Sequence, residues 1–332
     1  MGTPLYPFTF KSLHEGGPAV TGLLRTYLSA DDGHGDMPDD TARCWQLVDS
    51  DTIVSTIANG PLAGQSLRDV TAQAPQDIVG RRHRPNASFP LCISLRDVGR
   101  TDPLTVCPES TTHVGEREFR PNNRFIYSLD STPDARILAG MGQSSTRTQF
   151  LASLNQQAMR RVVQEYIPRP HDAFFSPSGR VQCVGAGNLV LELSDHGGPP
   201  LIVSVWDDDQ KRPSDEDLQA ALEAIYLQDR HPRRISREEG RTRCTRRIPI
   251  IRHCPSFNIE EIRLLDHLFD HTAGRTYHAL VLIRGKAHIE TDGAKTALPL
   301  GGVCVIPAAM GDYRLYADSD EARLLRIALQ TY

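Results

Sequence analysis

Short apolar runs recur along the chain, separated by glycine, proline and other turn-forming residues. The runs are of strand length and rich in aliphatic and β-branched side chains: FPLCISL (89–95), RFIYSL (124–129), LVLELS (189–194), LIVSVW (201–206), HALVLIRG (278–285), VCVIPA (303–308) and ARLLRIAL (322–329). Many short strands between turns are typical of a sandwich or a barrel. The pattern therefore predicts an all-β protein with a small number of helices.

Two segments carry helical patterns. TRTQFLASLNQQAMRRVVQEY (146–166) places apolar side chains at every fourth position, which predicts an amphipathic helix. SDEDLQAALEAIYLQD (214–229) begins with Ser214 followed by acidic residues. A serine N-cap with acids in the first turn predicts a second helix there.

Two charged segments are interpreted as exposed connections. DDGHGDMPDD (31–40) has five aspartates among glycine and proline and predicts a solvated loop. The run at 230–252 has nine arginines and two glutamates; we interpret it as a linker, with a subunit contact or a phosphate clamp as alternatives. These features predict three parts: an N-terminal domain (1–210), a helix with the Arg-rich linker (211–247) and a C-terminal domain (248–332).

The bulk composition excludes several classes of protein. The 332 residues are 39% hydrophobic and 23% charged, which permits a sizeable core. A net charge of -4 is too small to indicate a nucleic-acid or membrane partner, and the Arg-rich run has no interleaved aromatic residues. Seven scattered cysteines without a CxxC pair argue against a disulfide framework. MGTPLYPFTF has no signal-peptide pattern, so we expect a cytoplasmic protein.

Five motifs follow one another in a characteristic order. After ARCWQLVDS (42–50) come ANGPLAGQSL (58–67), FPLCISLRDV (89–98), LTVCP (104–108), RFIYSLDSTPDA (124–135) and PSGRVQC (177–183). Together they resemble the type I phosphomannose isomerases (mannose-6-phosphate isomerases) of the cupin superfamily. The tail from Tyr277 to Leu329 resembles the second, non-catalytic barrel of that family. The resemblance implies two cupin-type β-barrels of the jelly-roll kind, the first corresponding to the catalytic domain.

The resemblance also locates an altered metal site. The four positions that match the family's metal ligands hold Thr105, Cys107, Arg124 and Gln182. Of these only Cys107 is a competent zinc ligand, and a guanidinium repels a dication. We therefore expect no metal cofactor and a pocket better suited to an anion. The candidate ligand-binding residues are Thr105, Cys107, Arg124, Gln182, Arg96 and Glu109.

Several alternatives stay open at this point. Arg124 could pair with an acid such as Glu109, and Cys107 could be a small buried hydrophobe. The family's substrate-side lysine falls on Ser94 and its arginine near Val203 or Ser204, so no catalytic base is assigned. A relocated metal site could use His113, Glu116 and Glu118, and the general cupin ligand positions in the second barrel hold His278 and Asp312.

Three functions are consistent with these residues. The first is a divergent isomerase-like protein that has lost the metal and binds an anionic sugar or metabolite, or catalyses a metal-independent reaction. The second is a working, zinc-dependent mannose-6-phosphate isomerase. The third is a non-catalytic sugar-binding or regulatory protein. We expect a small anionic metabolite or sugar phosphate as partner; a homo-oligomer is left open.

Overall fold

A computed structural model describes most of the chain. The described residues are 5–17, 19–29, 37–81, 83, 87–142, 145–195, 199–207, 209–227, 234–235, 243–292 and 294–329.

Strands predominate in both halves. In chain order, the elements up to residue 204 are β1 (Phe8–Thr9), β2 (Leu13–Gly16), α1 (Leu23–Leu28), β3 (Thr41–Leu47), α2 (Leu67–Gln73), α3 (Pro75–Ile78), β4 (Leu91–Val98), β5 (Leu104–Val106), β6 (Thr112–Val114), β7 (Arg117–Phe119), β8 (Arg124–Ser131), β9 (Ile137–Met141), α4 (Arg147–Asn155), a 3₁₀ turn (Met159–Arg161), β10 (Val163–Tyr166), β11 (Ala173–Ser176), β12 (Gln182–Val184), β13 (Asn188–Asp195) and β14 (Leu201–Ser204).

The remaining elements are again mainly strands. They are α5 (Asp215–Ala224), β15 (Arg234–Ile235), β16 (Arg246–Ile251), β17 (Asn258–Leu264), β18 (His267–His271), β19 (His278–Arg284), β20 (Ala287–Thr291), β21 (Ala294–Leu298), β22 (Val303–Ile306), a 3₁₀ turn (Ala308–Met310), β23 (Asp312–Ala317) and β24 (Ala322–Ala328). Among the described residues, no helix is both long and apolar enough to cross a bilayer.

The N-terminal half is a pair of facing antiparallel sheets. One has the order β15-β11-β8-β13-β4-β3-β2 and the other β10-β9-β12-β5-β14. Alternate side chains of the two sheets meet in one cluster: Val98, Ile126, Ile137, Ala139, Phe174, Val184 and Val190. This contact leaves room at one end of the sheets, where polar residues replace the apolar ones.

The C-terminal half repeats this arrangement. Its sheets have the orders β1-β22-β19-β24-β17-β16 and β18-β23-β20-β21, and a cluster that includes Leu280, Leu315 and Leu324 lies between them. Strand β1, from the N-terminus, pairs with β22 in the larger of these sheets.

The two halves share a core. The outward face of the seven-stranded sheet, with Phe125, Tyr127 and Leu191, packs in one cluster with Ile259 and Val281 of the six-stranded sheet. The molecule is therefore four sheets deep, and central strands of the two middle sheets, such as β13 and β19, are buried on both faces.

The prediction of a mostly β protein with few helices is confirmed. Each predicted barrel is a pair of facing sheets whose hydrogen bonding does not close into a ring. All seven apolar runs used for the prediction form strands. The predicted domain boundaries stay a prediction.

One helix prediction is partly wrong. The predicted helix 146–166 ends at Asn155, and Val163–Tyr166 is a strand paired with β9. Gln157 adopts a positive φ of 53°, which breaks the helix, and the β-branched Val162 and Val163 favour the extended backbone that follows. The apolar side chains at every fourth position of 146–166 are therefore divided between α4, β10 and the segment that joins them.

The other predicted segments are only partly within the described residues. Helix α5 matches the prediction from its N-cap Ser214 to Ala224, but it ends earlier than predicted, because Ile225 is extended and 225–227 are not helical; residues 228–229 lie outside the described part. Of the Arg-rich run, residues 230–233 and 236–242 lie outside it, while Arg234–Ile235 pairs with β11. Residues 31–36 of the predicted acidic loop lie outside it as well.

Candidate functional site

A cavity of about 590 Å³ opens between the two N-terminal sheets. Strand alternation decides which side chains enter it, because successive residues point to opposite faces. On β8, Phe125 and Tyr127 join the core shared with the C-terminal half, so Arg124 faces the cavity. On β13 the same parity places Glu192 in the cavity between the core residues Leu191 and Leu193.

Glu192 is the centre of an ion-pair network. Its Oε1 accepts from Arg124, and its Oε2 lies 3.2 Å from Nη1 of Arg96 and 3.3 Å from Nη2 of Arg43. Arg96 also donates two hydrogen bonds to Asp102, of 2.8 and 3.0 Å. Three guanidinium groups from three strands therefore converge on one buried carboxylate.

The charges of this network fix the protonation state of Glu192. Burial alone would raise the pKa of its carboxyl group, but the charges of Arg124, Arg96 and Arg43 outweigh burial and hold the pKa far below its usual range. Burial acts in the opposite direction on Arg124, where the charge of Glu192 prevails and raises the pKa. Glu192 and Arg124 are therefore charged at neutral pH, and the guanidinium groups of Arg96 and Arg43 are charged as well because arginine does not deprotonate in proteins, although burial lowers the pKa of Arg43.

An acid at the rim of the cavity is held by neutral donors. Asp195 accepts from the backbone and side chain of Asn123, at 2.9 and 2.8 Å, and from the hydroxyl of Ser256 in the C-terminal half. The side-chain amide nitrogen of Asn122 also donates a hydrogen bond to Asp195 Oδ1, at 2.8 Å, in the amide orientation that satisfies both of its polar atoms. Burial raises the pKa of Asp195, against the effect of these donors.

A small recess of about 10 Å³ adjoins the cavity at the positions that match the family's metal ligands. Thr105, Cys107, Arg124 and Gln182 all line it, together with Asn122, Ser176 and Arg180. Strand pairing brings them together, since Gln182 is in register with Thr105 and Ser176 with Arg124. Thr105, Cys107, Arg124 and Gln182, which span 77 positions of the sequence, thus lie together in the fold.

These residues do not fit a zinc ion. Burial raises the pKa of Cys107 to about 11, so its thiol is protonated at neutral pH and is a poor ligand. Arg124 adds a fixed positive charge, and neither Thr105 nor Gln182 supplies an imidazole or a carboxylate. Among the described residues, no group of three or more histidine, cysteine, aspartate or glutamate side chains could hold a metal ion.

The structure brings together most of the predicted ligand-binding residues. Thr105, Arg124, Gln182 and Arg96 line the cavity, and Cys107 lines the recess. Glu109 does not join them; it lies at a separate cavity with Asn123 and Ser256. The acid paired with Arg124 is Glu192 instead of Glu109, which corrects the suggested partner.

The alternative metal positions are scattered. His113, Glu116 and Glu118 are exposed on the hairpin formed by β6 and β7, where Glu118 pairs with Arg120. In the C-terminal half His278 is buried, whereas Asp312 is exposed.

The two positions matched to the family's substrate-side residues differ in their location. Ser94 lines the cavity, whereas Val203 packs in the core beneath the helices. Sequence reasoning missed Arg43, Glu192 and Asp195. The motif ARCWQLVDS contains Arg43, and the isolated acid inside LVLELS was the signal for Glu192.

Comparisons with known proteins agree with the motifs. No family model matches the chain. The sequence is 22% identical to the probable mannose-6-phosphate isomerase GmuF of Bacillus subtilis over 278 residues, 83% of this chain and 86% of that protein. It is 22% identical to mannose-6-phosphate isomerase ManA of Bacillus subtilis over 188 residues, 56% of each protein.

Solved structures show the fold. A mannose 6-phosphate isomerase from Bacillus subtilis superimposes with a TM-score of 0.78 at 18% identity, over 97% of this chain and 99% of that one. A zinc-bound mannose 6-phosphate isomerase gives a TM-score of 0.72 at 11% identity, over 98% of this chain and all of that one. The chain is therefore similar in sequence to mannose-6-phosphate isomerases and shares the fold of their solved structures.

Proposed function

We propose that the protein binds an anionic sugar, or a closely related small anionic metabolite, in the N-terminal cavity without a metal at the positions of the family's ligands. The convergence of Arg43, Arg96 and Arg124 on the single carboxylate Glu192 carries this proposal. A guanidinium group has five N–H donors, and one shared carboxylate leaves several of them available to a phosphate or carboxylate.

The charge balance favours an anion at the floor of the cavity. Three arginines face Glu192 and Asp102 there, an excess of one positive charge. Asp195 also lines the cavity and brings the charge of the whole lining to zero, but it lies at the rim, where Asn123 and Ser256 engage its oxygens, so the positive excess is confined to the floor. An anion bound at the floor would therefore lie closest to the guanidinium groups.

The dimensions and the walls suit a sugar-sized ligand. The volume of about 590 Å³ lies in the usual range for small-molecule sites. Trp45 lines the same cavity, and the guanidinium of Arg43 lies 4.6 Å from its ring centre. An aromatic face beside a cation offers one apolar and one charged surface to the ligand.

Two buried groups of the site, Glu192 and Cys107, are poorly suited to proton transfer. An isomerase needs a base that takes a proton near neutral pH. Glu192 is a weak base because its pKa is held far below the usual range. The thiol of Cys107, with a pKa of about 11, is protonated at pH 7. Burial raises the pKa of Asp195, but Asn123 and Ser256 engage its oxygens, so we place binding ahead of isomerisation.

Calorimetric titration with mannose 6-phosphate, fructose 6-phosphate, inorganic phosphate and neutral mannose tests the proposal. We expect the phosphorylated sugars to bind more tightly than mannose, and binding to weaken with added salt. Arg124→Met should raise the dissociation constant for the phosphorylated sugars about tenfold or more, since it removes a charged hydrogen-bond donor. Arg284→Met, at an exposed position of the C-terminal half, is the matched control.

A second variant keeps the test informative if Arg124→Met does not fold. Arg43 has 26% of its side chain exposed against 17% for Arg124, so Arg43→Met should disturb the fold less. Thermal unfolding of each variant verifies that it is folded. Equal affinities for wild type and both variants, or no affinity of the wild type for any phosphorylated sugar, would contradict the proposal.

A working mannose-6-phosphate isomerase is the second candidate, since GmuF and ManA carry that name. Elemental analysis and a coupled isomerase assay separate the two functions. The binding proposal predicts no stoichiometric zinc and no turnover near the rate of about 10 per second that is ordinary for enzymes. One tightly held zinc per chain together with such a turnover would establish the isomerase instead.

A further inference from the structure

The recess beside the cavity contains buried polar atoms without hydrogen-bond partners among the described residues. Both carboxamide atoms of Gln182 are in this state, and so is the hydroxyl of Ser176. Each residue has only 3% of its surface exposed. A buried amide or hydroxyl without a partner costs free energy, so such atoms are usually satisfied by a ligand or an ordered water.

The neighbouring groups of the recess are already engaged. The hydroxyl of Thr105 donates to the backbone carbonyl of Gln182 at 3.3 Å, and Arg180 donates to the carbonyl of Phe175. Asn122 donates to Asp195 at 2.8 Å. The carboxamide of Gln182 and the hydroxyl of Ser176 therefore remain to recognise an incoming group.

The chemistry of these atoms selects the incoming group. The carboxamide of Gln182 offers a donor and an acceptor, and the hydroxyl of Ser176 can act as either. A hydroxyl group, which both donates and accepts, can satisfy both sides of the amide. A carbonyl or a phosphate oxygen only accepts and would leave the amide oxygen unpaired.

Size and position restrict the incoming group further. A volume of about 10 Å³ admits one group of about the size of a water molecule. The recess adjoins the cavity where the anion is proposed to bind, because Thr105, Asn122, Arg124 and Gln182 line both. A group in the recess can therefore belong to a ligand whose charged end lies at the arginines.

We propose that Gln182 and Ser176 bind a hydroxyl group of the ligand, so that polyhydroxylated anions such as sugar phosphates bind more tightly than simple phosphates and carboxylates. This inference rests on the proposed function, and it assigns hydroxyl recognition to the positions where relatives would hold the metal. Gln182 is in this sense a specificity residue, while the arginines supply the affinity for the anion.

Titration of Gln182→Met and Ser176→Ala with two probes tests the inference. Wild type should bind mannose 6-phosphate more tightly than inorganic phosphate. Gln182→Met, which has a similar length and no hydrogen-bonding group, should weaken binding of mannose 6-phosphate about tenfold and leave inorganic phosphate unchanged. Gln219→Met, on the exposed face of α5, is the matched control.

A series of monodeoxy sugar phosphates sharpens the test. If one ligand hydroxyl enters the recess, the analogue that lacks it should bind wild type and Gln182→Met equally, because the two changes remove the same interaction. Equal sensitivity of all analogues to the substitution would overturn the inference.

The remaining outcomes separate this inference from the proposed function. Unchanged binding of mannose 6-phosphate by Gln182→Met and Ser176→Ala would show that the recess holds water only and would overturn the inference while the anion site stands. Loss of phosphate and sugar phosphate alike in Gln182→Met would indicate a structural role and overturn it as well. No binding of either probe by wild type would overturn both proposals.

Discussion

At the scale of single residues, the C-terminal half contains a buried histidine with a strongly shifted pKa. Arg326 can only donate, so its 2.8 Å contact with Nε2 makes that nitrogen the acceptor and places the proton of His278 on Nδ1. Nδ1 then donates to the hydroxyl of Tyr313 at 2.7 Å, which donates to Asp270 at 3.0 Å. Burial, reinforced by the charge of Arg326, lowers the pKa of His278 from 6.5 to about 3.

This shift predicts a specific acid sensitivity. Between pH 6.5 and about 3 the unfolded chain binds a proton that folded His278 does not, so stability falls as the pH decreases through this window. The slope contributed by one such group is at most about 1.4 kcal/mol per pH unit. His278→Gln keeps a hydrogen-bond acceptor and a donor but does not titrate. Its unfolding free energy should therefore decline less steeply between pH 6 and 4, with a slope smaller than that of wild type by up to about 1.4 kcal/mol per pH unit.

The control for this measurement is the exposed His267. His267→Gln makes the same substitution at an exposed position and serves as the comparison variant. Identical slopes for wild type and His278→Gln would show that protonation of His278 is not coupled to unfolding. The other charged groups facing the imidazole are shared by all three proteins: Asp270, Arg326, Arg247 and His271.

At the scale of elements, helix α5 covers the outer face of the five-stranded sheet. Ala220 and Ala221 pack in the cluster that also contains Leu201 and Val203 of β14. The hydroxyl of Ser214 accepts from the backbone N–H of Asp217 at 3.1 Å and so caps the helix. Acidic residues in the first turn further favour this end, because they complement the helix dipole.

Removal of this cap should destabilise the protein measurably. Ser214→Ala leaves a helix N–H without its acceptor and should lower the unfolding free energy by about 1 kcal/mol, measured by chemical denaturation. Ser214→Asn, which retains a capping oxygen, should stay within about 0.5 kcal/mol of wild type. Equal stability of the alanine variant and wild type would mean that packing alone holds α5 in place.

At the scale of the whole molecule, the shared core makes the two halves mutually dependent. Leu191 on β13 and Val281 on β19 are fully buried in the same cluster. Separation of the halves would expose the apolar faces of both middle sheets, which is unfavourable in water. We therefore expect the two halves to unfold together.

Two optical signals test this expectation. The only two tryptophans, Trp45 and Trp206, lie in the N-terminal half, so fluorescence monitors that half while far-UV circular dichroism monitors both. The two unfolding curves should coincide. Leu191→Ala should shift both by the same amount, corresponding to roughly 2–5 kcal/mol of cavity cost.

The exposed Phe269, with 52% of its surface accessible, supplies the control. Phe269→Ala should change stability by less than about 0.5 kcal/mol. Two separate transitions in wild type, or a shift confined to fluorescence in Leu191→Ala, would show that the halves fold independently.

The amino-acid sequence by itself determined the local features of this protein. Apolar runs between turns located the strands. Because side chains alternate along an extended chain, Thr105 and Cys107, two residues apart, were expected on the same side. The order of the motifs predicted the similarity to mannose-6-phosphate isomerases and the four candidate ligand positions. These properties depend on neighbouring residues or on matching short segments, so they can be read along the chain.

Only the tertiary structure decided what those residues contact. Glu192 lies 68 positions from Arg124, and strand pairing across the seven-stranded sheet brings them together. The unpartnered carboxamide of Gln182 and the core shared by the halves likewise depend on how separate sheets pack. Periodicity fixes the face on which a side chain lies, whereas its partner is fixed by strand register and sheet packing over long sequence separations.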